Sequence, residues 1–476
     1  MRQPEALPHP VAALFPARAT RLELDALLSR ELEAAGARVR AGPVMPTLDA
    51  EQLREELGRR FDFGRPQPLE ELIPWTIGVL EHGTVHMNHP RYFGLFNPPA
   101  SFPSQCADRI AGAFNPQLAS SGSSPAPVEI EAHVIRAMAA RAGLPAGSGG
   151  HFTTSGSEAN YTALVCALTR AEPRFGTEGL RALAGPSAMY SSRACQPAWF
   201  KIAHHAGIGR AGLRLIDTDG SGRMDPQALA AAVARDRSAG VVPVLISSTA
   251  GTTSAGMIDP LADCARIARE HGAWYHIDAA WGGAALASGR LAPLLTGIES
   301  ADSITVDAHK WFSTTMGCGM FITRYPQVLS EAFRVTAEFM PSSNTRLDPY
   351  LNSLQWSRRF MGLRLFLSLA SAGWDGYAAH VERAAAVIGQ VRERLIGHGW
   401  RVANDSALAV LCVLPPPGSL AVRDIVHRVL ESGRAWVAVA SHEGREVVRI
   451  CATHGEISQG DVEELIVALQ TAASGG

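Results

Sequence analysis

Apolar residues recur at intervals of three and four positions in the first part of the chain, from about Arg18 to Leu80. Leu24 and Leu28 illustrate this spacing, which places side chains on one face of an α-helix. The pattern therefore predicts a group of helices. Because this stretch is too thin to enclose a hydrophobic core, we expect residues 1–88 to form an N-terminal helical arm that packs on other parts of the protein.

A second pattern occupies the middle of the chain, between Gly150 and Arg324, where short β-rich apolar runs alternate with helical runs rich in alanine. The clearest segments are VVPVLISST, PLADCARIAREHG, AWYHIDAA, SITVDAHKW and GMFITR. Such alternation predicts an α/β fold with a mostly parallel central sheet and helices on both faces. We assign residues 89–373 to this large domain, and expect ligands to bind at the carboxyl ends of its strands.

After Trp374 the pattern changes again. A long helical run is followed by the strand-like segment ALAVLCVLP, a helix from Val422, the strand-like segment EVVRICAT and a last helix from Ser458. This order predicts a small α+β C-terminal domain over residues 374–476.

Composition supports a globular protein and narrows its partners. A chain of 476 residues, 46% hydrophobic and 18% charged, can bury a large core in two or three packed units. Its 43 Lys and Arg against 45 Asp and Glu leave no basic excess for following a nucleic-acid backbone. Neither a secretory signal nor an apolar run of about 20 residues is visible, so we expect a soluble, cytoplasmic protein without membrane partners.

The sequence offers no convincing metal site. Its seven cysteines are scattered and include no C-x-x-C pair. His82, His86 and His89 have helical spacing, but no carboxylate completes a ligand set. We therefore expect no metal, and reduced, mostly buried cysteines.

Two residues at predicted strand ends carry the strongest chemical signal. Asp278 ends the run WYHID, and Lys310 lies in the run DSITVDAHKW. An Asp in such a place can hold a pyridine nitrogen protonated, and a Lys can form a Schiff base with an aldehyde. Together they point to pyridoxal 5'-phosphate as cofactor.

A phosphate site is predicted upstream of this pair. The small residues Ser155, Gly156 and Ser157 open an alanine-rich helix in the segment FTTSGSEANYTALVCAL. Free backbone N–H groups, hydroxyls and the helix dipole can bind a phosphate at such a turn. Turns of this kind are more often plain helix caps, so their order with Asp278 and Lys310 carries the interpretation.

With these motifs the chain resembles the group II pyridoxal-phosphate decarboxylases, which include aromatic-amino-acid, histidine and glutamate decarboxylases. The resemblance covers nearly the whole chain and implies a fold-type I architecture. It rests on the segments HPRYFGLFNP, SSPAPVEIE, TSGSEAN, STAGTTSAGMIDP, HIDAAWGG, DAHKW and WSRRFMGLRLF.

The resemblance implies roles for individual residues. Lys310 matches the Schiff-base lysine, and Asp278 matches the partner of the pyridinium nitrogen. Thr249 and His276 fall near the ring and its substituents, with Ala280 against one ring face. The positions that match the family's phosphate site are Ser155, Gly156, Ser157, Asp307 and His309.

The resemblance also implies a substrate pocket and a homodimer with an active site near the subunit interface. Phe96, Asn97 and Pro98 match the family's side-chain pocket. Phe96 and Pro98 favour an apolar or aromatic substrate, whereas Asn97 suits a polar or acidic one. In the family the N-terminal helices wrap the partner subunit, which would explain the thin arm.

Two positions depart from the family pattern. Gln196 stands where the family has a His that stacks on the cofactor ring. Phe339 stands where aromatic-amino-acid decarboxylases have a Tyr that returns a proton to the substrate carbon, and a phenyl ring has no proton to give. Tyr350 is a possible substitute donor.

The main hypothesis is a lyase, a carboxy-lyase that converts an aromatic or related L-amino acid into its amine and carbon dioxide. Because losses of that His or Tyr accompany oxidative branches of the family, decarboxylation-dependent oxidative deamination to an aldehyde with dioxygen is the alternative. Transamination or β-elimination stays open as another class. A non-catalytic homologue would be expected to have lost Lys310 or Asp278, and both are present.

Overall fold

The N-terminal part is helical, as predicted. A computed structural model describes residues 9–335 and 348–474. Within them the chain begins with α1 (His9–Leu14), α2 (Arg18–Ala41), α3 (Ala50–Arg60) and α4 (Leu69–Gly83). The start of α3 is capped by Asp49, whose side chain accepts the backbone N–H of Glu51 at 2.7 Å.

The arm buries little of its apolar surface within the chain. Helices α2 and α4 are joined by Arg38, whose Nε and Nη2 each lie 2.7 Å from a carboxylate oxygen of Glu81. Leu22 and Leu32 of α2 are 61% and 54% exposed. Exposed apolar side chains on this scale leave the arm with surface that a partner can cover.

The central sheet has seven strands in the order β1-β7-β6-β5-β4-β2-β3. Its strands are β1 (Gly149–Thr153), β2 (Ser187–Ser192), β3 (Leu213–Ile216), β4 (Val242–Thr249), β5 (Trp274–Asp278), β6 (Ser303–Asp307) and β7 (Gly319–Thr323). Neighbouring strands from β6 through β3 run parallel, which confirms the mostly parallel sheet. Strand β7 instead runs antiparallel to both β6 and β1. The connection from β6 to β7 spans about eleven residues, too few for the crossover that a parallel pair requires.

Helices cover both faces of this sheet, which belongs to the fold-type I class of α/β proteins. They are α5 (Phe102–Phe114), α6 (Pro125–Arg141), α7 (Gly156–Ala171), α8 (Phe175–Glu178), α9 (Ala198–His205), α10 (Pro226–Ser238), α11 (Leu261–His271) and α12 (Gln327–Phe333). On β2, Met189 packs into one hydrophobic cluster, while Ala188 and Tyr190 pack into another. Alternate side chains of a strand point to opposite faces, so the two clusters lie on the two sides of the sheet.

The C-terminal part contains a second sheet of four antiparallel strands in the order β10-β11-β9-β8. Its elements are α13 (Gly362–Gly397), β8 (Arg401–Val402), β9 (Val410–Leu414), α14 (Val422–Glu431), β10 (Ala438–His442), β11 (Arg445–Cys451) and α15 (Gln459–Ala473). The helical run begins at Gly362, earlier than the sequence indicated, and is kinked at Gly373, where φ is 66°. A capping box between Ser458 and Asp461 fixes the start of α15.

No helix in residues 9–335 or 348–474 combines the length and apolar composition needed to cross a membrane. In the same ranges, no group of three or more His, Cys, Asp or Glu is arranged to hold a metal ion.

Candidate active site

The predicted site residues meet at one edge of the central sheet. Thr249, Asp278 and Asp307 are the last residues of β4, β5 and β6. These strands are parallel neighbours, and Thr249 lies directly beside Asp278 in the register. Because parallel strands end at the same edge, the three side chains form one polar group at the carboxyl end of the sheet.

Asp278 is held by two donors. Its Oδ2 accepts a hydrogen bond from Asn160 Nδ2 at 2.8 Å, and its Oδ1 accepts one from the backbone N–H of Ala280 at 3.1 Å. Burial raises the pKa of Asp278, whereas the ammonium group of Lys310 and these two donors act to lower it. The carboxylate is thus oriented and positioned to pair with a buried cation.

A series of hydrogen bonds links Trp274 to Asp278 through Ser303, His276 and Asn160. Trp274 Nε1 donates to Ser303 Oγ at 2.8 Å, and Ser303 Oγ lies 2.8 Å from His276 Nδ1. His276 Nε2 lies 3.0 Å from Asn160 Oδ1. Since burial lowers the pKa of His276 to about 3, its ring is neutral and donates through Nε2 to the Asn160 carbonyl oxygen. Every donor in this chain therefore points toward Asp278, and both nitrogens of His276 have protein partners.

Lys310 follows β6 in a tight turn. Its backbone N–H bonds the Asp307 carbonyl at 3.1 Å, and its Nζ lies 3.1 Å from Asp307 Oδ2. His309 lies beside the same carboxylate, with Nε2 at 3.7 Å from Asp307 Oδ2 and Nδ1 accepting from the Cys318 N–H at 3.2 Å. The turn thus presents the lysine amine next to the polar strand ends.

The turn predicted to bind phosphate lies against these strand ends. Ser155 precedes α7 and its side chain makes no capping hydrogen bond, while Gly156 and Ser157 begin the helix. A Cβ on Gly156 would lie 2.8 Å from Asp307 Oδ2 and 3.3 Å from the Cβ of Ala280. Only glycine allows this approach, which aims the N–H groups and dipole of α7 at the site.

The residues present fit the cofactor that the sequence implies. Thr249 Oγ1 and Asp307 Oδ1 are buried and have no hydrogen-bond partner within the part of the chain described. Buried polar atoms are normally paired, so these two are available to a bound group. With the amine of Lys310, the carboxylate of Asp278 and the start of α7, they match the aldehyde, ring and phosphate of pyridoxal phosphate.

Gln196 lies near this group but is partly tied to the backbone. It follows β2, is half-buried, and its Oε1 accepts the N–H of Ala198 at the start of α9. Burial, and with it the nearby carboxylate of Asp278, raises the pKa of the preceding residue Cys195 to about 11. The residue before Gln196 is therefore close enough to Asp278 for the carboxylate charge to influence its pKa.

Phe96 belongs to a stacked column. Its ring lies 4.3 Å from that of Trp281 at 11°, and Trp281 lies 4.6 Å from Trp311 at 9°. The guanidinium of Arg449 covers the other face of Phe96 at 4.6 Å. Both faces of Phe96 are thus occupied, which leaves only its edge for a substrate.

The other two residues predicted to form the substrate pocket differ from Phe96 and from each other. Pro98 is buried, and Asn97 is half-buried with Nδ2 at 3.3 Å from the sulfur of Met316. This bond is weak, so the Asn97 amide remains available for stronger partners.

Sequence reasoning missed Arg449, which is 2% exposed. Its Nε donates to the carbonyl of Thr253 and its Nη1 to that of Gly94. Its Nη2 is buried without a hydrogen-bond partner, and among the described residues no carboxylate lies within ion-pair distance. A lone arginine in the apolar run VVRIC was the available signal, because a buried charge without a partner is costly.

The position of the missing proton donor, Phe339, and the possible substitute, Tyr350, have different outcomes. Phe339 lies in residues 336–347, outside the described residues. Tyr350 is 5% exposed, and its ring packs against Trp356 with the centroids 4.9 Å apart.

Comparisons with known proteins identify the family and the fold. The family described as pyridoxal-dependent decarboxylase conserved domain matches residues 61–403. The chain is 26% identical to an aromatic-L-amino-acid decarboxylase of Bacillus atrophaeus, over 91% of this chain and 92% of that protein. It is 27% identical to an acidic amino acid decarboxylase of Mus musculus, over 87% and 79%. The structure of Oryza sativa TDC with PLP and tryptamine shares the fold, with a TM-score of 0.90 at 24% identity, over 97% of this chain and 99% of that one.

Proposed function

The chain belongs to the family of pyridoxal-dependent decarboxylases, and on that basis we propose that it converts an aromatic L-amino acid into its amine and carbon dioxide. It is a carboxy-lyase that uses pyridoxal phosphate. The observation that carries the proposal is the pairing of Asp278 with Asn160 at 2.8 Å beside the turn of Lys310. That arrangement supplies an oriented carboxylate and an amine at adjacent strand ends.

We assign the cofactor roles as follows. Bound pyridoxal phosphate supplies an aldehyde that condenses with amines and a protonated ring that withdraws the electrons released on decarboxylation. Lys310 provides the amine that holds the aldehyde, and Asp278 holds the proton on the ring nitrogen. Thr249 Oγ1, which is buried without a partner in the described chain, would donate to a ring substituent, and Ala280 would pack on one ring face. The phosphate end would lie among the residues at the start of α7 and the end of β6, namely Ser155, Gly156, Ser157, Asp307 and His309.

Arg449 is proposed to bind the carboxylate of the substrate. Its guanidinium is buried, lacks a protein carboxylate and contacts Phe96. Of the three buried arginines in the described ranges, Arg358 and Arg364 pair with Glu131 and Asp108, and Arg449 does not. A substrate carboxylate would provide the missing counter-charge.

The pairing of the buried arginines also favours a substrate without a second carboxylate. Once Arg449 holds one carboxylate, the buried arginines within the described chain offer no further unpaired cation for an acidic side chain. The edge of Phe96 and the buried Pro98 provide apolar contacts. We therefore favour an aromatic amino acid, although named relatives act on aromatic and on acidic ones.

A second candidate function is oxidative deamination after decarboxylation, and Gln196 is the observation that favours it. A neutral amide has no proton that titrates, so it cannot replace an imidazole as an acid or a base. If no nearby group protonates the substrate carbon promptly, dioxygen can take up two electrons and two protons to form hydrogen peroxide. Water then hydrolyses the resulting imine to aldehyde and ammonia.

We also propose that the protein acts as a homodimer with each active site near the interface. Helix α5, which follows the pocket residues, exposes Phe102 and Phe114 at 74% and 82%. The arm exposes Leu14 and Phe15 at 77% and 66%. Apolar surface of this kind next to a pocket is typical of a subunit contact.

The decisive experiment is incubation of the holoenzyme with a panel of L-amino acids in air, with carbon dioxide, amine, aldehyde and peroxide measured together. Amine and carbon dioxide in equal amounts, from aromatic substrates above all, are expected. Aldehyde with equal peroxide would establish the oxidative candidate. Absence of carbon dioxide from every substrate would overturn decarboxylation and point to transamination or elimination. The Lys310→Ala variant is the control that should lose all turnover.

A further inference from the structure

A cavity of about 220 Å³ lies apart from the active site, between α6, β1 and α12. None of the residues assigned above to the cofactor or substrate lines it. Apolar walls come from Val128 and Ile135 of α6 and from Leu329 of α12. An apolar cavity of about 150 Å³ is already large enough to hold benzene, so this one can hold a single ring with a substituent.

His151 supplies a polar atom to this cavity. It is 5% exposed, and its Nδ1 lies 3.0 Å from the carbonyl oxygen of Phe152, so Nδ1 carries the proton. Burial lowers the pKa of His151 to about 4, and the imidazole is neutral. Nε2 is therefore a lone-pair acceptor, and it is buried without a partner among the residues described.

A donor lies on the same cavity wall. Arg358 is buried and its Nη1 lies 2.6 Å from Glu131 Oε2, while Glu131 Oε1 accepts the backbone N–H of Gly362. The Nε of Arg358 is buried without a partner in the described chain. Because Arg358 and Glu131 neutralise each other and His151 is neutral, the buried part of the lining carries no net charge. It offers His151 Nε2 as an acceptor and Arg358 Nε as a donor, beside the ion-paired Glu131 Oε2, while the exposed Arg136 lies at the rim.

We propose that this cavity is a second ligand site for a compact neutral molecule with an apolar ring and one hydroxyl group. A hydroxyl can donate to His151 Nε2 and accept from Arg358 Nε at the same time, which satisfies both orphaned groups. A charged ligand would have to lose its hydration, and the buried part of the lining offers it no unpaired opposite charge. The site is independent of the decarboxylase activity, because it shares no residue with the active site.

The test uses 4-fluorophenol as probe and fluorobenzene as the matched compound without a hydroxyl, with binding to the holoenzyme followed by ¹⁹F NMR. We expect saturable binding of 4-fluorophenol, about tenfold tighter than fluorobenzene because two hydrogen bonds of ordinary strength are gained. Ala132→Phe, on the cavity side of α6, should abolish binding by filling the space. His133→Phe, exposed on the same helix and outside the cavity, should leave it unchanged.

Each result bears on the proposal. Binding lost in Ala132→Phe and retained in His133→Phe supports a site in this cavity. Absence of saturable binding at millimolar probe, or binding unaffected by Ala132→Phe, would overturn it, the latter because the probe then occupies the active site. Equal affinity for the two probes would overturn the hydrogen-bonding role of His151 and Arg358. Cofactor absorbance and decarboxylation by the Ala132→Phe holoenzyme verify that this variant is folded.

Discussion

Asn160 donates a 2.8 Å hydrogen bond to Asp278 across 118 positions of sequence. Its own carbonyl oxygen is held by the neutral ring of His276, so the amide cannot turn over without losing both contacts. Asn160 is therefore a positioning residue, which acts on the cofactor through Asp278.

Replacing Asn160 should weaken the cofactor site without removing its charged groups. In Asn160→Ala, Asp278 loses a charge-assisted hydrogen bond worth about 1.5–3 kcal/mol, so the dissociation constant of pyridoxal phosphate should rise about 10- to 100-fold. Titration of the apoenzyme, followed by cofactor fluorescence, measures this change. Asn404→Ala, a buried asparagine in the C-terminal part, is the control and should keep the wild-type constant. Equal constants for Asn160→Ala and wild type would show that Asp278 needs no such support.

Replacing Arg449 should affect the substrate and not the cofactor. Arg449→Met keeps a long side chain over Phe96 but removes the charge, and we expect kcat/KM to fall about 100-fold or more, the usual cost of breaking a buried charge pair. Arg449→Lys, which keeps the positive charge, should show a smaller decrease in kcat/KM. Steady-state kinetics and cofactor titration should be run in parallel, with Arg434→Met, in a partly exposed ion pair, as control. A normal kcat/KM in Arg449→Met would remove Arg449 from substrate binding.

Restoring an imidazole at position 196 should change the products. Gln196→His introduces a titratable ring there, and if the wild type forms aldehyde, the ratio of aldehyde to amine should fall about tenfold. Both products and peroxide are measured in one reaction. Gln196→Asn, which keeps an amide, is the matched control. An unchanged ratio in Gln196→His would assign the oxidative step to another residue.

Charging the exposed face of α5 should separate the subunits. We expect Phe102→Glu with Phe114→Glu to shift the molar mass from dimer to monomer, because two carboxylates cannot be buried in an apolar contact. Light scattering gives the mass, and activity should fall with it if the partner completes the site. The control is Ile396→Glu, an exposed position at the end of α13. A wild-type protein that is itself monomeric would contradict the proposal.

Acid should destabilise the protein through histidines whose pKa is lowered in the folded state, and the half-buried His380 is one of them. Burial lowers the pKa of His380 to about 4, against an opposing hydrogen bond with the backbone of Trp311 and with a further lowering by His454. The unfolded chain takes up this proton near pH 6.5, but the folded protein does so only near pH 4. Between these values the unfolded state binds more protons, so stability falls as the pH falls.

The His380→Gln variant tests that linkage. Its loss of stability between pH 7.5 and 5.5 should be smaller than that of the wild type by about 1 kcal/mol, since one titrating group is removed. Urea unfolding of both proteins at the two pH values gives the difference. His398→Gln, at an exposed position, should behave as wild type. An identical pH effect in His380→Gln and wild type would refute the assignment.

The central part of the site was predictable because it depends on short-range patterns. Asp278 and Asp307 end apolar strands, and parallel strands place their ends together, so the sequence alone predicted the edge where Lys310 lies. Gly156 was predictable for a similar reason, as a small residue opening a helix. The family and the cofactor followed from these motifs in order, and the comparisons confirm both.

Other features depended on contacts that sequence spacing does not encode. Asn160 lay in a quoted motif, but its partner is on another element, and the direction of its amide is set by His276. Arg449 was visible only as a lone charge in a strand, because its neighbours Gly94 and Thr253 meet it through tertiary packing. The roles of Gln196 and Phe339 stay predictions.

The proposed pocket is built by segments that are distant in sequence, because one stacked column joins Arg449, Phe96, Trp281 and Trp311. Arg449 comes from the small sheet, while Trp311 adjoins the lysine that holds the cofactor. A chimaera that takes only the C-terminal part from a relative would therefore replace Arg449 and its surroundings. Phe96 and the two tryptophans would remain, although they pack against the original Arg449. Substrate preference should be inherited through matched positions 96 and 449, and not through either part of the chain by itself.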